Sequence, residues 1–159
     1  MRIALGSDHR GVAALADLVT YLRGRGHEVT VEGTCDGSPS DYPEQAYDVG
    51  MAIREGRADR GILACGSGIG MSIAANKVLG VRAALAYDEL AAVRSRAHND
   101  ANVLCVSADL TSADQIRKIV DVWLTTAFEG GRHARRVAKI AAIERGENPA
   151  MMKAEAGAT

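Results

Sequence analysis

The densest chemistry in the chain lies in the run Cys65-Gly66-Ser67-Gly68-Ile69-Gly70. Glycines at alternate positions let a backbone turn sharply and aim several N–H groups one way. At the start of a helix, such a run makes a nest for a phosphate, a carboxylate or an enediolate oxyanion. A thiol at the mouth of a nest sits in positive potential, which favours the thiolate and hence a base. A free cysteine can equally be a small hydrophobe that ends a strand in the core. Position favours the functional reading of Cys65, because ligands of open α/β sheets lie beyond the carboxyl ends of the strands. Cys35 and Cys105 have no such loop and read as packing residues.

Three further groups carry chemistry. Asp8 and His9 follow the first apolar run and, being adjacent, point in different directions and can address different atoms of one ligand. Asp8 alone is equally well explained as the cap of the following helix. His98-Asn99-Asp100 joins a titratable imidazole to an amide, an acid–base candidate if it reaches the ligand edge of the sheet. Arg132 and Arg136 are spaced i, i+4 on one helix face, where two guanidinium groups can clamp a phosphate or simply form a solvated basic face. No histidine pair has helical ligand spacing and no Cys–His cluster exists, so no metal site is expected. The glycine run is also a poor dinucleotide fingerprint, which belongs in the first strand–helix turn with an acid ending the next strand. Here the run follows the third strand, and Ala86-Tyr87 end the fourth.

The elements that must position these groups alternate strictly. The spacing predicts strands over 2–5, 28–31, 61–65, 81–86 and 103–106, with helices over 11–25, 43–56, 70–78, 88–98, 112–128 and 132–145. Such alternation implies right-handed crossovers and a three-layer α/β/α, Rossmann-like sandwich around a five-stranded parallel sheet. Its carboxyl edge is where Asp8, His9, Cys65 and His98 are expected to converge. Residues 1–146 read as one α/β domain, and the small, polar stretch 147–159 as a flexible tail.

Composition narrows the class. A net charge of −1 over 159 residues gives no global attraction for nucleic acid or an anionic membrane, so any bound anion must be caught locally. Three widely spaced cysteines form neither a disulfide framework nor a Cys-x-x-Cys pair and suit a reducing compartment. No charged-then-apolar leader precedes the first strand, and no apolar run approaches the roughly 20 residues of a membrane helix. A cytoplasmic protein is expected.

Six ordered motifs then carry a resemblance over nearly the whole chain, to about Glu144. They are Gly6-Ser7-Asp8-His9-Arg10-Gly11, Ser40-Asp41-Tyr42-Pro43, Cys65 to Gly70, Ala74-Ala75-Asn76-Lys77, Arg96 to Asn102, and Glu129-Gly130-Gly131-Arg132-His133. Together they resemble the family of type B ribose-5-phosphate isomerases and galactose-6-phosphate isomerase subunits. The resemblance implies interconversion of an aldose phosphate and a ketose phosphate through a cis-enediolate, with neither metal nor organic cofactor. It implies that Cys65 moves the proton between C1 and C2, and that Ser67 assists proton transfer at the substrate oxygens. The backbone of Gly66, Gly68, Ile69 and Gly70, with Asn99, would steady the enediolate. His98 would open the furanose ring, Asp8 and Tyr42 would hold substrate hydroxyls, and His9, Arg132 and Arg136 would bind the phosphate. It further implies a homodimer, or a tetramer, whose active sites lie between subunits. One departure stands out: Asp109 occupies the place of a phosphate-binding arginine, and a carboxylate there repels a phosphate dianion. Tetrose phosphates, hexose phosphates and unphosphorylated aldoses such as ribose or allose are the competing substrates, and a non-catalytic phosphate- or nucleotide-binding module is the competing class.

Overall fold

A computed structural model describes residues 1–33 and 37–152; Cys35 and residues 153–159, most of the expected tail, lie outside the described residues. The elements follow one another as β1 (Arg2–Ser7), α1 (Val12–Gly24), β2 (Glu28–Val31), α2 (Tyr42–Arg54), β3 (Arg60–Cys65) and α3 (Ile69–Ala75). They continue as β4 (Ala83–Leu85), α4 (Glu89–Asn99), β5 (Val103–Ser107), α5 (Ala113–Thr125) and α6 (Arg132–Glu144), with a 3-10 turn at Pro149–Met151. All strand pairs are parallel and the sheet order is β2-β1-β3-β5-β4. This is the α/β/α Rossmann-like sandwich expected from the alternation.

Successive side chains of a strand face opposite ways, and the aliphatic runs use both faces. Ile3, Leu5, Ile62, Ala64, Leu104 and Val106 pack with Leu15, Leu18 and Leu22 of α1 and with Ile116, Ile119 and Trp123 of α5. Ala4, Leu63, Cys65, Val103 and Cys105 face the other way, onto Ala46 and Val49 of α2 and Met71 and Ala75 of α3. The Cys105 thiol is fully buried there, and the loss of water pushes its pKa well up from the ordinary value. Cys65 belongs to that layer and is the last residue of its strand, at the carboxyl edge of the sheet.

The largest differences from the periodicity, at the ends of α3 and α5 and in β4, have local reasons. α3 stops at Ala75, not Val78, because the Asn76 side chain turns the chain: its Nδ2 donates to the Ser72 and Ala83 carbonyls and its Oδ1 accepts from Ala83 N–H. The same clamp, with Asn102 Oδ1 accepting from Arg82 N–H, shortens β4 to three residues at the sheet edge. α5 ends at Thr125 rather than Phe128, where the Thr125 and Thr126 hydroxyls donate back to the Asp121 and Val122 carbonyls. α6 packs on α4 and on the 3-10 turn rather than on the sheet. Among the described residues, no helix is long and apolar enough to cross a membrane.

Candidate active site

The chain leaves β1 toward β2 on one side and returns to β3 on the other, so the turns after β1 and β3 share one crevice. Cys65 sits there, buried, with its Sγ accepting a hydrogen bond from Gly68 N–H at 3.1 Å. That contact depends on Gly68, whose φ of +77° lies in the left-handed region. A Cβ at 68 would stand 2.5 Å from Leu85 Cδ1 and 3.0 Å from the Val106 carbonyl oxygen. Ser67 is half-buried; its Oγ accepts from Ile69 N–H at 3.3 Å and its carbonyl from the Tyr87 hydroxyl at 2.9 Å. The Ile69 side chain itself is exposed.

Two neighbours rest on the glycine loop. A Cβ at Gly70 would lie 2.6 Å from both Cε2 and Cζ of Tyr42, so the ring at the start of α2 covers that glycine. A Cβ at Gly66 would lie 2.8 Å from Arg10 Nε and 2.8 Å from Asp109 Oδ2. These two side chains are paired, with Arg10 Nε and Nη2 donating to Asp109 Oδ2 at 3.1 and 2.6 Å. The lone carboxylate expected at 109 is therefore a neutralised one, and the repulsion expected of it is offset by a cation from the opposite turn. The loop after β5 is also stitched to the glycine run: Ser107 Oγ and Asp109 N–H donate to the Gly66 carbonyl, and Ala108 N–H to that of Cys65.

Asp8 is buried and uses Oδ1 to accept from the N–H groups of Arg10 and Gly11, at 2.9 and 3.1 Å. It thus orders the turn that carries His9, but it is not the helix cap of the alternative reading: Gly11 takes the cap position of α1, with no side-chain cap hydrogen bond. His9 is exposed, with Nδ1 3.4 Å from the Ser40 carbonyl oxygen, on an open cleft of about 430 Å³ shared with Ser38, Pro39, Asp41 and Glu44.

The remaining candidates stand elsewhere, and here the expected convergence fails. A crossover helix runs antiparallel to the strands it connects. α4 starts at the carboxyl edge, where Asp88 Oδ1 caps Ala91 N–H, and its 11 residues carry the chain back about 16 Å. Its end lies at the amino edge: the Asn99 carbonyl accepts from Arg82 Nε just ahead of β4, and Gly61 N–H donates to the Asn102 carbonyl just ahead of β5. His98 and Asn99 therefore lie across the sheet from Cys65 in the same chain.

A second cluster forms around His98. Its ring stacks on that of His133 with centroids 4.2 Å apart and planes 1° from parallel. Glu129 Oε2 lies 3.8 Å from His98 Nε2 and 3.6 Å from His133 Nε2, and Arg132 Nε lies 3.4 Å from His133 Nε2. Arg136 is exposed one turn further along α6. Burial, and then the nearness of His98 and of the Arg132 guanidinium, holds the His133 imidazole below its ordinary pKa. The three ligand atoms of His98, Glu129 and His133 lie within 4.8 Å of one another, the one grouping of this kind among the described residues. Parallel stacked imidazoles do not aim their lone pairs at a common point, so a metal there would require both rings to turn. The spacing rules missed this cluster because Glu129 and His133 meet His98 only through the packing of α6 on α4.

A thiol, a hydroxyl and a glycine nest at the switch point of an all-parallel sheet define an open α/β enzyme acting on a small polar ligand. The chain belongs to the ribose/galactose isomerase family, whose sequence profile matches residues 3–140. It is 44% identical over 147 residues to ribose-5-phosphate isomerase B of Escherichia coli, covering 92% of this chain and 99% of that one. Ribose-5-phosphate isomerase B of Clostridium thermocellum superposes with a TM-score of 0.91 at 45% identity, over 92% of this chain and 99% of that one. A D-erythrulose-4-phosphate isomerase of Pectobacterium atrosepticum is 39% identical over 149 residues, 92% of this chain and 97% of that one. The chain is an aldose–ketose isomerase.

Proposed function

We propose that this isomerase interconverts D-ribose 5-phosphate and D-ribulose 5-phosphate through a cis-enediolate, with Cys65 as the base. The observation that carries this reading is the Gly68 N–H aimed at Cys65 Sγ at 3.1 Å, which fixes the sulfur at the mouth of the glycine nest. In the forward direction the Cys65 thiolate takes the proton from C2 of the open-chain aldose. The electron pair moves to form the C1–C2 double bond and leaves negative charge on the former aldehyde oxygen O1, which the loop N–H groups receive. The thiol then returns the proton to C1, while Ser67 Oγ exchanges the proton between O1 and O2. No redox partner is needed, because C1 is reduced as C2 is oxidised.

His98, Asn99, Arg132 and Arg136 support a site completed by a second copy of the chain, since they cannot reach Cys65 from their own sheet edge. Ile69 and Ile73, exposed one helical turn apart on α3 beside the glycine loop, suit the same interface. The partner's His98 then opens the furanose ring, and the phosphate lies among His9, Arg132 and Arg136. A cytoplasmic setting fits the unpaired thiols. Tetrose phosphates are the second reading, favoured by the Pectobacterium relative.

Replacing Cys65 by Ala tests the base. Conversion of ribose 5-phosphate is expected to fall by at least about 10²-fold, with binding of the sugar phosphate by calorimetry changed little. A Cys65→Ala protein that isomerises normally would remove Cys65 from the chemistry, and faster turnover of erythrose 4-phosphate than of ribose 5-phosphate would replace the substrate.

A further inference from the structure

Arg10 stands in a place that a surface arginine does not need. It follows Asp8 and His9 in the turn after β1, while Asp109 follows β5, and both side chains close over Gly66 of the loop after β3. Three consecutive positions of the sheet, β1, β3 and β5, thus contribute to one spot at the carboxyl edge. Asp109 is fixed there by its own backbone, because its N–H donates to the Gly66 carbonyl at 3.0 Å and Ser107 Oγ donates to the same oxygen at 2.6 Å.

The pairing geometry is one-sided. Arg10 presents Nε and Nη2 to a single carboxylate oxygen, Oδ2, at 3.1 and 2.6 Å. A guanidinium has five N–H donors in a rigid planar fork. The side-on edge is spent on Asp109, and three donors, all of Nη1 and the second N–H of Nη2, have no partner among the described residues. The guanidinium is half-exposed and lies beside the nest that faces Cys65. A held guanidinium with a free end-on edge is the arrangement that recognises a tetrahedral oxyanion.

We propose that Arg10 is a phosphate ligand of this site, held side-on by Asp109 while its remaining N–H donors take the phosphoryl oxygens of the substrate. The proposal rests on the reading that the substrate is a sugar phosphate. Asp109 is then a positioning residue, and the cation reaches the phosphate from the β1 turn instead of the β5 turn.

The obvious variant is ambiguous by itself, because Arg10→Leu also leaves Asp109 bare and repulsive. The test therefore uses the full-length protein, Arg10→Leu, and Arg10→Leu with Asp109→Asn, with inorganic phosphate binding read by calorimetry and ribose 5-phosphate kinetics alongside. Arg10→Leu is expected to weaken phosphate binding about tenfold or more, and the neutral double variant to stay roughly fivefold weaker than wild type. The loss should appear in KM for ribose 5-phosphate with kcat changed less, and should be absent for free ribose. A double variant that returns to wild-type affinity would make Arg10 a mere counter-ion of Asp109 and overturn the proposal, as would an unchanged Arg10→Leu. Melting temperatures confirm folding, and Arg10→Lys, which keeps charge but loses the fork, should recover part of the affinity. Calorimetry needs no turnover, so a wild type that binds phosphate through Arg10 yet does not convert ribose 5-phosphate would sink the ribose 5-phosphate reading and leave this one standing.

Discussion

The ring of Tyr42 lies against Gly70, so close that a single methyl at 70 would come within 2.6 Å of Cε2 and Cζ. The first residue of α2 and the glycine loop are therefore one packed unit, and the phenol is held over the site by the absence of a side chain below it.

Gly70→Ala should displace that ring. Overpacking of this kind costs about 1–3 kcal/mol, although alanine is intrinsically better than glycine inside α3 by up to about 1 kcal/mol. Urea unfolding of Gly70→Ala should show a net loss, and in a Tyr42→Ala background the same change should be neutral or stabilising. A Gly70→Ala loss of equal size in both backgrounds would mean that the clash lies elsewhere.

Gly11 is a harder constraint. A Cβ there would stand 2.3 Å from the Ala64 carbonyl oxygen and 2.7 Å from its carbon, backbone atoms of β3 that cannot turn aside. Gly11→Ala should cost about 3 kcal/mol or more and lower the melting temperature by roughly 6–12 °C. Gly24→Ala, at the end of α1 with nothing within 4 Å, should be neutral or slightly stabilising in the same assay.

Asn76 makes three hydrogen bonds that end α3 and align β4. Asn76→Ala should cost about 1–3 kcal/mol. Hydrogen exchange should speed up at Ala83 N–H, whose partner is lost, and remain slow at the β3–β5 ladder.

The His133 imidazole has its folded pKa below the unfolded value. Between those two values the unfolded chain binds more protons than the folded one, so stability falls as pH drops from about 6.5 and is fully restored above it. Melting temperature followed from pH 5 to 8 should show this loss on the acid side. His133→Gln should flatten that part of the curve, whereas an unchanged slope would assign it to other groups.

Residues adjacent in sequence were the readable part of this molecule. The Cys65–Gly70 run announces both its turn and its chemistry, because glycine at 68 is needed for a left-handed backbone and for closeness to Val106. The aliphatic runs likewise announce a buried parallel sheet. What the sequence hid are contacts between distant turns. Arg10 and Asp109 are 99 positions apart and meet only because β1 and β5 flank β3. His98 was misplaced for a different reason: nearness to a strand in sequence says nothing about which end of it. A residue just before a strand belongs to the amino edge, and antiparallel packing of α4 sends His98 there. The short β4 escaped the periodicity because Asn102 Oδ1 takes the Arg82 N–H, Val81 N–H turns back to the Val78 carbonyl, and Asn76 holds both the N–H and the carbonyl of Ala83.

The antiparallel run of α4 has one more consequence. Within the shared-site reading, each chain owns two half-sites that serve two different active sites, as if two tools were mounted at opposite poles. Damage at one pole leaves the other serviceable. Cys65→Ala and His98→Asn proteins, each inactive alone, should therefore recover activity when unfolded together and refolded as a mixture, since a mixed pair has one pole intact on each chain. Complementation of that kind would be detectable as up to about a quarter of wild-type turnover for a statistical dimer.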